Sequence, residues 1–226
     1  MPRMEIDHER VSSRRTEMGV QRVKSNPFYE EPVVDSRHGF WQGRPIIGRD
    51  CRINRGVYLG GNAREAIVVD DEKQPELEEI YQLLISRIES KGGDFKYYSL
   101  REVFDLVLEK MPYNSAKVDS IHRNYGGEPD QKIGLNRYLK SHAGVCRHQA
   151  LLAAYLLEKL VDDGYLGGKV SVDRNAILGL GGHAWARYTT SWGKVVILDI
   201  AQNCFGSLDK LKKEGTHWFY QRPEDL

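Results

Sequence analysis

The segment from Val145 to Leu160 constrains the fold of this chain more than any other, because it has a helical pattern and is apolar on almost every side. Its middle carries Ala150, Leu151, Leu152, Ala153, Ala154, Leu156, Leu157 and Leu160. A helix with no polar face is buried within its domain. We therefore expect this helix in the core, with only its first turn reaching the surface or a cleft.

Cys146 lies in that first turn, directly after Gly144 and Val145. The unpaired N–H groups and the dipole of a helix N-terminus favour a negative charge, so they lower the pKa of a thiol placed there. The same N–H groups can hydrogen-bond the oxyanion that forms when a thiolate attacks a carbonyl. The position of Cys146 thus predicts an activated sulfur nucleophile.

A β-hairpin follows, with His183 at the start of its first strand and Asp199 at the end of its second. The turn residues between the strands run from Thr189 to Gly193. A turn centred near Ser191 pairs residues whose numbers add to about 382, which makes His183 and Asp199 cross-strand partners about 5 Å apart on one face. The hairpin therefore predicts contact between an imidazole and a carboxylate.

The three segments share a pattern with a known family of enzymes. Gly144-x-Cys146 at a helix start, the strand His183-Ala184-Trp185 and a strand that closes on Asp199 resemble the transglutaminase-like superfamily, a branch of the papain-like cysteine enzymes. The resemblance covers roughly residues 135–203. It implies an α+β fold with a papain-like or transglutaminase-like core, in which the nucleophile helix packs on an antiparallel sheet.

The resemblance also implies residue roles: Cys146 as the nucleophile, His183 as general base and acid, and Asp199 as the group that orients the imidazole. Many members continue with Pro-Thr after the Asp, whereas Ile200-Ala201 follows here, which bears on the subfamily more than on the triad. Many relatives use a side chain as the second oxyanion donor. Tyr113, Asn114 and Asn136 stay open as candidates.

Each triad residue also has an ordinary structural explanation when it is taken alone. A cysteine before an apolar helix is commonly a small buried hydrophobe, and a strand histidine is commonly a satisfied core residue. A metal site is the main rival use, with His142, Cys146 and His148 close in sequence. However, residues two apart on a helix point about 200° away from each other, so Cys146 and His148 cannot share an ion. Paired zinc-ligand spacings are absent from the sequence. We therefore expect no metal and no cofactor.

The triad chemistry is acyl transfer on an amide or peptide through a thioester. Attack on the thioester by water makes a cysteine peptidase or amidase, which we favour, and attack by an amine makes a transglutaminase or amide synthase. A non-catalytic binding module and a metal-binding protein remain alternatives. For the substrate side we single out His142, Gly182 and Trp185, and we expect a protein or peptide as the substrate.

The overall composition favours an intracellular enzyme. The 226 residues include 33 basic and 32 acidic side chains, a net charge of +1, which offers no electrostatic footprint for nucleic acid or an anionic membrane. The longest apolar run is far too short to span a bilayer, and no secretory signal pattern opens the chain. Three cysteines, an odd and low number, suit a reducing compartment, so we predict a cytoplasmic location.

The order of the elements predicts helices first and antiparallel strands afterwards, an α+β layout. Residues 1–43 are polar and rich in turn formers, so we expect a loosely ordered tail or one draped over a catalytic domain of residues 44–226. Pro75 fits the first position of one helix, and a capping-box pattern at Ser99 predicts the start of the next. Ser207 is expected to cap a last short helix.

Overall fold

The structure is a computed structural model that describes residues 8–33, 36–60, 65–92, 95–125, 127–177, 181–216 and 219–225. Within these ranges the helices are α1 (His8–Lys24), α2 (Pro75–Lys91), α3 (Phe95–Lys110), α4 (Ser115–Tyr125), α5 (Leu135–Lys140), α6 (Cys146–Asp162) and α7 (Leu208–Lys213). The strands are β1 (Tyr29–Glu30), β2 (Phe40–Trp41), β3 (Arg44–Pro45), β4 (Val57–Leu59), β5 (Glu65–Val68), β6 (Gln131–Gly134), β7 (Lys169–Ile177), β8 (Gly181–Thr189), β9 (Val195–Asp199) and β10 (Cys204–Ser207). A short 3-10 helix, Pro223–Asp225, closes the described chain.

Helix α6 occupies the core as the sequence predicts. Its residues from His148 to Leu157 are all buried, and the helix packs against α3 and on β7 and β8. Burying apolar side chains on every face of a helix requires neighbours on every side, and helices on one side with a sheet on the other supply them. The first turn of α6 is the part that stays near the surface, where Cys146 is half-buried.

The largest sheet has the strand order β10-β9-β8-β7, and all of its pairings are antiparallel. Side chains alternate between its faces: Ala184 and Ala186 belong to the main core with α6, whereas Trp185 and Ile197 pack on the other face with Phe219 and Tyr220. The sheet is therefore covered on both sides. Strands β8 and β9 form the hairpin that the sequence predicts.

A second sheet joins the first half of the chain to the core. Its order is β4-β5-β6, in which β4 and β5 are antiparallel and β5 and β6 are parallel. All four residues of β5 are buried, including its first residue, Glu65. A third sheet, β1-β2-β3, consists of two-residue strands. The described residues thus form a mixed α and β fold, compatible with the expected α+β class.

Two of the three predicted helix boundaries are confirmed and one is wrong. Helix α2 begins at Pro75, and the Ser207 side chain accepts a hydrogen bond from the Lys210 N–H at the start of α7. By contrast, α3 begins at Phe95, so Ser99 lies inside the helix and its hydroxyl donates to the Phe95 carbonyl. The reason is tertiary: the ring of Phe95 stacks on Tyr165 with centroids 4.6 Å apart, which draws the preceding turn into the helix.

The described residues of the segment 1–43, which we expected to be loosely ordered or draped over the domain, include a helix that packs on the rest of the chain. Residues 1–7 and 34–35 lie outside the described residues, but α1 is a helix of 17 residues. A stripe of Thr16, Gly19 and Val23 is buried, and Trp41 is only 3% exposed. The stripe escaped the sequence analysis because its members are mostly small: a methyl group added to Gly19 would lie 2.9 Å from the Cβ of Leu59, so the missing side chain lets α1 approach β4 closely.

Among the described residues, none of the helices combines the length and the apolar character needed to cross a membrane.

The burial of α1 predicts unequal effects for two identical substitutions. Val23 is 2% exposed in the contact between α1 and β4, whereas Val33 is 60% exposed. Val23→Ala should lower the free energy of unfolding by about 2 kcal/mol, because it removes buried methyl groups and leaves a cavity. Val33→Ala is the matched control and should change it by less than about 0.5 kcal/mol. Urea denaturation measures both, and equal stability of the two variants would contradict a packed α1.

Candidate active site

A histidine within the first turn of α6 caps the start of the helix. The side chain of Val145, the residue before the helix, makes no capping hydrogen bond, but its backbone N–H donates to Nδ1 of His148 over 3.1 Å. Because Nδ1 accepts, the ring proton lies on Nε2, which donates to Oε1 of Glu65 over 3.0 Å. His148 has no exposed surface. It is therefore a structural residue that joins the turn to strand β5.

Glu65 also binds Arg147, the residue directly before His148 in this turn. The Arg147 guanidinium donates to Glu65 Oε1 from Nε at 2.8 Å and lies 2.6 Å from it through Nη2. Burial alone would raise the pKa of Glu65, but the hydrogen bond from His148 and the charge of Arg147 outweigh it and hold the pKa well below its usual range. The sequence analysis missed Glu65, which lies 82 residues before Arg147 with no local signal to mark it.

The Cys146 side chain faces the other sheet. Its sulfur lies near the His183 imidazole and the backbone N–H of Ala184 on β8, both of which act on the pKa of the thiol. Burial would raise the pKa of this thiol, but the hydrogen bond and charge of His183, the Ala184 N–H and the charge of Arg147 together bring it below its ordinary value. The thiolate is therefore favoured over an ordinary buried thiol.

His183 connects the sulfur to Asp199. Its Nε2 lies 2.6 Å from Asp199 Oδ2, and since an ionised carboxylate only accepts, Nε2 carries a proton and Nδ1 is left for the thiol. His183 is 8% exposed, and burial would lower its pKa; hydrogen bonds with Asp199 and Cys146 and their charges raise the pKa to about 9 instead. A raised imidazole pKa beside a lowered thiol pKa describes a thiolate–imidazolium pair.

Asp199 is itself held by two further groups. Tyr220 donates its hydroxyl to Oδ2 over 2.9 Å, and the backbone N–H of Gln202 donates to Oδ1 over 3.1 Å. The carboxylate is 1% exposed. Both of its oxygens are therefore engaged, which fixes the plane of the group relative to the ring of His183. Tyr220, near the end of the chain, is a second contributor that the sequence analysis missed.

The hairpin register differs from the prediction by two residues. The observed pairs run from Thr189–Val195 to Ala186–Leu198, so the loop is centred on Trp192 and His183 and Asp199 are diagonal neighbours. The cause is the turn, which closes with hydrogen bonds from Thr190 N–H to the Lys194 carbonyl and from Gly193 N–H to the Thr190 carbonyl. An offset of two keeps both side chains on the same face, which is why their contact survives the wrong register.

The three residues singled out for substrate contact lie in different environments. Trp185 is fully buried between Phe219 and Tyr220, so its ring packs beneath His183 and offers no surface to a substrate. His142 is exposed in the link between α5 and α6, with a positive φ of 45°. Gly182 is exposed directly before His183 and borders the triad.

The three candidates for the second oxyanion donor also differ in their surroundings. Asn114 uses its side-chain oxygen to accept the Lys117 N–H at the start of α4, over 2.9 Å. Asn136 donates its amide to Glu76 over 2.9 Å. Tyr113 remains beside the nucleophile, because its backbone forms a bridge with Gly144 and its side chain is 58% exposed.

Within the described ranges, His, Cys, Asp and Glu side chains form no group of three or more that could hold a metal ion. Both ring nitrogens of His148 are engaged, one by Val145 and one by Glu65.

Comparisons of the chain with protein-family models, with curated proteins and with solved structures give no match. The geometry of the site carries the functional argument.

The buried hydrogen bonds and ion pair of Glu65 predict that replacing this residue lowers the stability of the protein, and that the loss depends on pH. Glu65→Gln removes the charge that neutralises Arg147 and should lower the free energy of unfolding at pH 7 by about 3 kcal/mol. Since the folded-state pKa of Glu65 is lowered, its contribution is complete above its unfolded pKa of about 4.3 and is lost as pH falls through the folded value. The difference in the free energy of unfolding between the wild type and Glu65→Gln should therefore become smaller as the pH falls. Urea denaturation at a series of pH values from 7 downwards measures this difference.

Glu128→Gln is the control for that comparison, because Glu128 is exposed. A Glu65→Gln variant as stable at pH 7 as Glu128→Gln would contradict the anchoring of α6 through β5.

The opposite pKa shifts of the three cysteines predict selective alkylation. Burial raises the pKa of Cys51 and Cys204, whereas the pKa of Cys146 is lowered. At pH 6 iodoacetamide should therefore modify Cys146 first. His183→Gln removes the imidazolium, so the thiol pKa rises and the rate at Cys146 should fall by at least about tenfold at pH 6. Peptide mapping by mass spectrometry gives the rate at each cysteine.

His122→Gln, a change of the same kind on α4, serves as control and should leave the alkylation rates as they are. Equal rates at the three cysteines of the wild type would rule out an activated thiolate.

Proposed function

We propose that this protein is a thiol-dependent acyl-transfer enzyme that acts on an amide or peptide through a Cys146 thioester, with hydrolysis as the favoured outcome. The observation that carries the proposal is that Cys146, at the N-terminus of a buried helix, has beside it a His183 imidazole that is bonded in turn to Asp199. A nucleophile, a base within hydrogen-bonding reach and a group that orients the base are the parts that covalent acyl transfer requires.

In the proposed reaction the Cys146 thiolate attacks the carbonyl carbon, and the carbonyl π electrons move onto oxygen. The N–H groups of the first turn of α6 have no partners within the helix and are suited to stabilising that oxyanion. The His183 imidazolium then gives its Nδ1 proton to the nitrogen of the leaving amine as the carbon–nitrogen bond breaks. The product of this half-reaction is a thioester on Cys146 and a neutral imidazole.

The second half-reaction returns the enzyme to its starting state. Neutral His183 takes a proton from water, the resulting hydroxide adds to the thioester carbon, and the carbon–sulfur bond breaks to release a carboxylic acid and the thiolate. Asp199 stabilises the imidazolium in both halves without being protonated itself. An amine in place of water would use the same base and would make the protein an amide synthase or transglutaminase.

The fold supports the same proposal at a coarser level. A cysteine that opens a buried helix, packed on an antiparallel sheet with His and Asp on neighbouring strands, agrees with the papain-like or transglutaminase-like core that the sequence motifs suggest. All three cysteines are free thiols, which suits work in a reducing compartment such as the cytoplasm. A binding module would have no need of a lowered thiol pKa, so that alternative has less support.

The proposal predicts a trapped acyl-enzyme. Wild-type protein mixed with p-nitrophenyl acetate should release p-nitrophenol in a burst and carry one acetyl group on Cys146 by peptide mapping. Cys146→Ala should abolish the burst, and Asp199→Asn should slow it by roughly 10³-fold or less, because the imidazole loses its orienting carboxylate. Cys51→Ala is the matched control and should retain the burst.

Acetylation of other residues while Cys146 stays unmodified would contradict the proposal. Repeating the reaction with a primary amine present decides the acceptor: free acetate indicates hydrolysis, and an acetylated amine indicates amine transfer.

A further inference from the structure

A cation from the N-terminal helix borders the triad. Arg15 on α1 lies over Gly182, the residue directly before His183: a methyl group added to Gly182 would lie 2.5 Å from Arg15 Nη1 and 2.9 Å from its guanidinium carbon. The guanidinium of Arg15 therefore lies directly against the backbone of β8 at Gly182.

Arg15 approaches β8 from the side on which helix α6 lies. Alternate residues of a strand share a face, and Ala184 and Ala186 face the core that contains α6. Gly182 shares their face, and the backbone N–H of Ala184 is near enough to Cys146 to lower the pKa of its thiol. Gly182 and Ala184 are two residues apart on the strand, a span of about 6.6 Å. The guanidinium and the thiol border the same stretch of β8.

The charge of Arg15 differs from those of Arg147 and Arg22 nearby, because no described carboxylate pairs with it. Arg147 is neutralised by Glu65, and Arg22, two turns further along α1, pairs with Asp130. Arg174 on β7 donates to the Leu59 carbonyl and to Thr16. In the part of the chain that the structure describes, no carboxylate forms an ion pair with Arg15, which is half-buried. A guanidinium without an anion is available to bind one.

We infer that Arg15 selects substrates that carry a carboxylate beside the scissile amide, as an acidic peptide does. The inference rests on the proposed function, because it assigns the substrate class of that same site. A guanidinium binds a carboxylate through two parallel hydrogen bonds, which fixes the substrate in orientation as well as in affinity. Helix α1 then forms one wall of the substrate cleft.

Two alkylating reagents of the same size test this inference. Iodoacetate carries a carboxylate next to its reacting carbon, and iodoacetamide is neutral there. Both react with the same Cys146 thiolate, so the ratio of their rates cancels any change in the thiol pKa and reports the charge that the reagent meets. At low ionic strength Arg15→Gln should lower the iodoacetate-to-iodoacetamide ratio roughly fivefold. Arg15→Lys should keep most of the ratio, because it keeps the charge.

The matched control is Arg14→Gln, which removes the same charge from an exposed position on the same turn of α1 and should leave the ratio unchanged. An unchanged ratio in Arg15→Gln would overturn the inference. So would an equal rise in both rates, which would mean that Arg15 only obstructs the cleft. If neither reagent modifies Cys146 faster than Cys51, the proposed function fails and the inference fails with it.

Two short peptides distinguish the source of the carboxylate. One has blocked ends and a central glutamate, and the other consists of alanines with a free C-terminal carboxylate. The peptide that protects Cys146 from iodoacetamide in the wild type, and protects it less in Arg15→Gln, identifies the source as a side chain or a chain end. Equal protection of wild type and variant by both peptides would contradict a role for Arg15 in substrate selection.

Discussion

The first turn of α6 is the point on which the candidate site depends, because it connects two sheets. Cys146 and His148 are two residues apart and therefore point in nearly opposite directions, about 200° apart round the helix. The sulfur meets β8, and the imidazole of His148 meets β5 through Glu65. The angular spacing that argues against a shared metal ion is thus the spacing that lets one turn reach both sheets. Apolar packing alone would allow the helix to slide along its axis, whereas a buried ion pair at its end opposes such a shift.

The parts of the site that follow from local pattern were predictable from the sequence. An apolar helix, a cysteine at its start and a hairpin with His183 and Asp199 are each set by residues close together in the chain, and the structure contains all of them. The hairpin also shows why a pattern argument tolerates error: its register is two residues from the predicted one, yet strand periodicity keeps both side chains on one face. An error of one residue would have separated them.

The parts that depend on distant residues were not predictable from one sequence. Glu65 and Tyr220 reach the site from other elements, and neither belongs to a local motif. Helix α1 illustrates the same limit, since Thr16 and Gly19 bury a helix by being small, whereas hydrophobic periodicity detects only large apolar side chains. At Ser99 a correct capping pattern was overridden by aromatic packing of Phe95.

The opposed charges of Arg147 and Glu65 also bear on how reactive the sulfur is. A cation next to Cys146 lowers the thiol pKa, but the nucleophilicity of a thiolate falls as its pKa falls. Arg147 left alone would push the thiol towards a stable, weakly reactive anion. Because Glu65 neutralises most of that charge, the thiolate depends mainly on the imidazolium of His183, and this cation gives up its proton during the reaction. The stabilisation of the thiolate is thereby coupled to the same proton that the leaving amine receives, and a fixed arginine charge could not provide this coupling.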